Sequence, residues 1–253
     1  MQLFDSHCHF NDEKFDKDRD EIINKAHNEN VKKVTCAGYD VQSSIEAIKI
    51  AEKYDFIYAT CGISPNDTHD FDKIYEIEKL LNNKKIVAIG EIGLDYYWNK
   101  ENKELQRKAF IEQIKLANKY NYPIQIHTRD AAIDTISILK DNPVNNKGIF
   151  HCCPLNQELI KEAVKLGFYI SFSGNITFKN AKSAPCIELV PMDKILIETD
   201  SPYLSPEPYR GRRNYSGYVV HVAEKISEVK KISVEDVANQ TYKNACNIFK
   251  IDN

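Results

Sequence analysis

His7-Cys8-His9 places two imidazoles two positions apart near the start of the chain. On an extended segment, side chains at i and i+2 point the same way, so both rings face one direction and Cys8 faces the other. Two neutral imidazoles converging on a point suit a divalent transition metal, although an isolated H-x-H fits a solvated loop equally well. Glu91 interrupts the apolar run Ile86-Val87-Ala88-Ile89-Gly90-Glu91-Ile92. A carboxylate there needs a cation, because an unpaired buried charge costs several kcal/mol. An Arg or Lys would serve; a metal would serve better, since a carboxylate has two oxygens and can bridge two ions about 3.5–4 Å apart. His127 closes Pro123-Ile124-Gln125-Ile126-His127, and His151 closes Gly148-Ile149-Phe150-His151. Singly, each reads as a core or capping histidine; together, at equivalent positions, they form a patch. In Ile197-Glu198-Thr199-Asp200 the two carboxylates are again i, i+2 partners. Asp200, nearer the surface, suits metal ligation and proton acceptance from water. Glu198, one layer deeper, suits the orienting of ligands or water.

These residues share a place in a repeating pattern. Short apolar or β-branched runs at 3–5, 33–37, 57–63, 86–92, 123–127, 148–152, 168–173 and 195–199 alternate with charged amphipathic stretches. The stretches at 16–28, 41–53, 71–81, 101–120, 131–140, 157–166, 218–230 and 234–249 read as helices, the last with Ser233 as N-cap and Glu235-Asp236 in its acidic first turn. The segment after Phe172 is the weakest helix, because Pro185 interrupts it. Eight strands alternating with helices over this length predict a single (β/α)8 TIM barrel spanning residues 1–253, with its chemistry at the C-terminal ends of the strands. An open doubly wound sheet would carry a glycine-rich phosphate turn after strand one, where Ser6-His7-Cys8-His9 stands instead.

Composition sets the bounds. The 253 residues exceed the soft prior of roughly 150 per domain but suit one large α/β barrel. With 42% hydrophobic and 28% charged residues, the chain can bury a sizeable core and is neither disordered nor fibrous. No apolar run approaches a membrane span, and the first residues lack the basic and apolar regions of a secretory signal. The seven cysteines include no C-x-x-C pair and read as buried thiols, consistent with a cytoplasmic protein. A net charge of -3 argues against a broad basic face for polyanions, not against a local site. His27, His69 and His221 lie in polar or helical stretches and carry no assigned role.

The segments FDSHCHF (4–10), GEIGLDYY (90–97), PIQIHTRDA (123–131), FHC (150–152) and ETDSPYLSPEPYRGRRN (198–214) resemble, in order and over essentially the whole chain, the TatD family of metal-dependent hydrolases within the amidohydrolase superfamily. The resemblance implies a two-metal site. One divalent ion would be held by His7, His9, Glu91 and Asp200, and the other by Glu91, His127 and His151, with Glu91 bridging; zinc, manganese, iron and magnesium all suit such donors. The implied activity is deoxyribonuclease action on single-stranded DNA, of the 3′–5′ exonuclease type, with water activated by the two metals and Asp200 as base. Oligomeric state is left open. The alternative is hydrolysis of esters or amides on the same barrel, as by an aminoacyl-tRNA deacylase or a lactonase. A scaffold that binds without catalysis would be favoured by a lost ligand, and all six are intact.

Departures from the family pattern fall at the mouth. Ser64 and Asn66 replace histidines of the third-strand motif, Cys152-Cys153-Pro154-Leu155-Asn156 replaces a small-residue stretch, and the proline expected after Asn214 is missing from Tyr215-Ser216-Gly217. They bear on substrate rather than on the ligands. Arg129 and Arg210 match family positions and suit phosphate contact, while Arg212 and Arg213 read as solvated. Tyr96, Tyr97 and Trp98 could stack nucleobases of a single strand; helix packing is the competing use of those rings.

Overall fold

The computed structural model describes residues 1–252. Eight strands form one parallel sheet in consecutive order: β1 (Leu3–Cys8), β2 (Val31–Ala37), β3 (Ile57–Cys61), β4 (Ile86–Asp95), β5 (Ile124–Arg129), β6 (Gly148–Phe150), β7 (Tyr169–Phe172) and β8 (Ile195–Ile197). Between them run α1 (Arg19–Asn28), α2 (Val41–Lys53), α3 (Ile74–Leu80), α4 (Lys103–Tyr120), α5 (Ala132–Asp141), α6 (Gln157–Lys165) and α7 (Ser183–Leu189), followed by α8 (Val219–Lys230) and α9 (Val234–Phe249). The result is a nearly closed (β/α)8 barrel. No helix among the described residues is long and apolar enough to cross a membrane.

The seam between β8 and β1 is sewn by a side chain. Asp5, fully buried, accepts from the Thr199 backbone N–H at 2.9 Å and from its hydroxyl at 2.6 Å. Just above, the Asp200 N–H donates to the His7 carbonyl at 3.0 Å, and the His9 N–H donates to the Ser201 carbonyl at 2.8 Å. At the other end, α9 packs Ala245, Cys246, Ile248 and Phe249 against Phe4, Val87, Ile149 and Leu196 and so fills the floor of the barrel. The larger cluster lies between sheet and helices and includes Cys8 and Cys36.

Local chemistry explains most helix boundaries. Asp40 and Ser43 form a reciprocal capping box on α2. Asn156 accepts from the Glu158 and Leu159 N–H groups to cap α6, and Ser233 caps α9 as expected. Asn121 ends α4 in the left-handed region.

Several boundaries correct the sequence reading. β1 extends through Cys8, so His7 lies within the strand rather than after it. β4 runs on to Asp95, which puts Glu91 in mid-strand; its ladder to β5 shifts register between Ile89 and Ile92. Conversely, β6 stops at Phe150 and β8 at Ile197, so His151 and Glu198 follow their strands. The stretch 71–81 opens as a 3-10 turn, Thr68–Lys73, before α3. Pro185 does not break α7, because it sits in the first turn, where its missing N–H has no helical partner to lose.

Gly93 shows how tightly β4 and β5 meet at this level. Its φ is +141°, and a Cβ there would lie 2.0 Å from the His127 carbonyl oxygen, its register partner. Gly93→Ala is therefore expected to cost at least about 2 kcal/mol, from roughly 1–3 kcal/mol of backbone strain plus overpacking. Urea unfolding of the variant measures this; an unchanged midpoint would contradict the close approach.

Candidate metal centre

All six residues singled out by type and spacing meet at the C-terminal mouth. Glu91 lies at their centre, largely buried, and its two oxygens face different imidazole pairs. Oε2 is 3.6 Å from His7 Nε2 and 3.8 Å from His9 Nε2. Oε1 is 2.9 Å from His127 Nδ1 and 3.3 Å from His151 Nε2. Asp200 Oδ1 adds a contact of 3.4 Å to His9 Nε2 and 3.7 Å to His7 Nε2. Asp200 takes φ +54°, a left-handed conformation that Asp tolerates better than most residues.

The ring nitrogens that face inward are lone-pair bearers crowded together. His7 Nε2 and His9 Nε2 are 3.1 Å apart, and His127 Nδ1 and His151 Nε2 are 3.2 Å apart. Behind the rings lie acceptors. His7 Nδ1 lies 3.0 Å from Gln125 Oε1, His9 Nδ1 lies 3.2 Å from the Ala37 carbonyl, and His127 Nε2 lies 3.0 Å from Asp95 Oδ2. With a proton on each rear nitrogen, the front nitrogens are left as donors of electron pairs, the arrangement that metal-binding histidines require. Glu198 backs His151 at 3.4 Å and accepts the Cys152 N–H at 2.6 Å, while its second oxygen is buried without a hydrogen bond.

Electrostatics point the same way. Burial would push His9 down, yet the Asp200 and Glu91 carboxylates carry it up to about 9. Against the same burial, Glu91 and Glu198 hold His151 well above its ordinary value. Glu91, though buried, is held well below the carboxylate range by His151 and His127. His7 is lowered by burial and by His151 and His9, which together outweigh Glu91. The carboxylates thus favour positive charge at His9 and His151 but not at His7. Two donor groups, His7–Glu91–His151 and His7–His9–Asp200, each have ligand atoms within 4.8 Å of one another. Mixed imidazole and carboxylate donors with buried, oriented rings fit divalent cations.

The arginines proposed for substrate binding contact aromatic rings rather than the ligands of this cluster. Arg129, exposed, lies with its guanidinium 4.0 Å over the Tyr97 ring and 5.5 Å from that of Trp98. Arg210 lies 3.7 Å over Phe178. Arg213 is not simply solvated but forks onto Asp18, while Arg212 is exposed. Tyr96 is also corrected: it is buried and its hydroxyl donates to Asp134, which removes it from any surface that stacks bases. Six cysteines are buried; Cys152 is half-exposed beside Glu198.

Asp95 escaped the sequence reading. One oxygen accepts from His127, and from Asn66 at 3.3 Å; the other accepts the Tyr97 and Trp98 N–H groups at 2.9 and 3.0 Å. The signal for it was a second carboxylate within reach of Glu91 in an apolar strand. Gln125, two residues before His127, escaped for the same reason. The departures Ser64 and Asn66 are also accounted for: Ser64 donates to Asp67, and Asn66 shares Asp95 with His127.

A parallel barrel with oriented imidazoles and carboxylates at its mouth has the construction of a metal-dependent hydrolase. Relatives carry that name. The chain is 43% identical to the Uncharacterized metal-dependent hydrolase YabD of Bacillus subtilis, over 99% of this chain and 100% of that one. It is 37% identical to the Uncharacterized metal-dependent hydrolase YcfH of Escherichia coli K12, over 100% and 97%. The family described as TatD related DNase matches residues 4–250, and the chain belongs to it. Its fold superposes on YJJV, a TatD homolog from Escherichia coli K12, with TM-score 0.94 and 25% identity, covering 99% of this chain and 98% of that one.

Replacing Asp95 by Asn weakens the hold on His127 without removing volume. Metal affinity is expected to fall about 10–100-fold, the usual loss when the partner behind a ligand is altered. Competition with a fluorescent chelator reads this directly, and an unchanged affinity would strip Asp95 of its positioning role.

Proposed function

We propose that the chain is a deoxyribonuclease that hydrolyses phosphodiester bonds of single-stranded DNA from a 3′ end, using two divalent cations. One ion would be held by His7, His9, Glu91 and Asp200; the other would be held by Glu91, His127 and His151. The two-cation part of this reading is supported by the placement of the two Glu91 oxygens, each facing its own pair of imidazoles, and the nucleic-acid part by the family match. The whole chain serves as one catalytic domain, and the absence of C-x-x-C pairs fits a reducing cytoplasm.

Bound divalent cations would supply Lewis acidity and make water a nucleophile near neutral pH. The residues of the chain supply the rest. Glu91 fixes the centre by presenting one oxygen to each side. Asp200, part-exposed at the mouth, orients the attacking water and takes its proton. Glu198 keeps His151 in place from below. Arg129 and Arg210, whose guanidiniums lie over aromatic rings, offer their N–H groups to phosphate oxygens. Because net charge is -3, attraction to the duplex at large is weak, and the strand is engaged locally.

Glu91→Ala is expected to abolish metal loading and nearly all turnover while the circular dichroism spectrum stays native. The decisive assay incubates metal-reconstituted protein with end-labelled single-stranded DNA beside panels of esters and amides. A ladder shortening from the 3′ end and lost with chelator is the expected result. Turnover confined to the esters or amides would replace this reading with the alternative one. Arg210→Ala should raise KM for DNA with kcat nearly unchanged, as for loss of a contact made equally in ground and transition states.

A further inference from the structure

Trp98 is the only tryptophan of the chain, and its side chain is 66% exposed on the loop after β4. Tyr97 beside it is 47% exposed, its ring centroid 4.8 Å away and nearly perpendicular at 89°. Large aromatics left in water carry an unfavourable apolar surface, and the backbone beneath this pair is tied down. Both backbone N–H groups are taken by Asp95 Oδ1, and Gln106 bonds to the Asp95 backbone N–H and carbonyl and to the Asn99 carbonyl. The other oxygen of Asp95 holds His127. One carboxylate therefore fixes the aromatic loop relative to the metal centre.

The charge beside the rings narrows the ligand. The Arg129 guanidinium covers one face of Tyr97, and no carboxylate among the described residues pairs with it. Arg129 follows His127 by two residues on the same strand, about 7 Å along an extended chain. An open indole face, a free planar cation and a metal-facing histidine thus occur within a short span. An apolar protein segment would use the rings but not the cation. A strand of nucleic acid uses both, the base on the ring and the phosphodiester on the guanidinium.

We propose that Trp98, supported by Tyr97 and Arg129, is a stacking site for one unpaired nucleobase of the substrate strand beside the metal centre. The proposal deepens the nuclease reading and rests on it for the identity of the ligand. Tyr97 and Asp95 act as positioning residues, and Trp98 touches the base.

The single tryptophan makes the site its own reporter. Metal-loaded full-length protein is titrated with a phosphorothioate-linked oligothymidylate and with an abasic strand of the same length and linkage, while indole fluorescence is followed. Quenching by the oligothymidylate and none by the abasic strand is expected. In turnover assays, Trp98→Ala should raise KM for oligothymidylate about tenfold, within the range of one lost base stack, with kcat within about twofold. Trp98→Phe should restore KM, and KM for the abasic strand should not move. Equal quenching by both strands, or an equal KM rise on both, would overturn the stacking site. Base-selective quenching by the phosphorothioate strand without cleavage of the phosphodiester oligothymidylate would keep the stacking site and remove the nuclease reading; cleavage of the phosphodiester strand without quenching would do the reverse.

Discussion

The mouth of this barrel is organised by one electrostatic constraint: a carboxylate, Glu91, placed in mid-strand where water is scarce. A buried anion is tolerated only with compensating positive charge around it. Four imidazoles surround it, and behind them Gln125, the Ala37 carbonyl, Asp95 and Glu198 lie at distances of 3.0–3.4 Å. Each of these outer groups constrains the ring in front of it, so the arrangement is held from outside inward. That is why positions with no direct part in chemistry, such as Asn66 and Gln106, turn out to be bonded into the same network.

The parts of the molecule that sequence could reveal are those governed by local periodicity. The alternation of apolar runs and amphipathic stretches disclosed the barrel, and the i, i+2 rule placed His7 with His9, whereas Glu198 and the left-handed Asp200 lie beyond the end of β8. Strand ends were less legible, because β4 continues through two glycines and a carboxylate that resemble a turn. Partnerships across the barrel left no trace at all. His7 and Gln125 are separated by 118 positions, and Asp5 and Thr199 by 194. Local pattern shows that a buried polar residue needs a partner; only the closed sheet says which one.

Arginine behaved unlike the simple expectation for a charged loop. Arg129, Arg210 and Arg213 all lie within 5 Å of a ring centroid, over Tyr97, Phe178 and Phe15 respectively. Guanidinium is weakly hydrated and planar, so an aromatic face holds it in one orientation while its edge remains available. Arg213 spends that edge on Asp18, a link between the segment after β8 and the start of α1. Arg129 and Arg210 have no such carboxylate partner among the described residues, so the same ring packing occurs with and without an ion pair.

The clasp of Asp5 on Thr199 has a bearing on biogenesis. It joins the first strand to the last, and the residues flanking it, His7 and Asp200, belong to the same donor cluster. Contacts of such long sequence separation form late, after the loop-closure entropy of nearly the whole chain has been overcome. During synthesis on the ribosome, a chain lacking β8 has its four mouth imidazoles and Glu91 but not Asp200, so the donor cluster is incomplete. The donor cluster is in this way assembled only when the last strand joins the first.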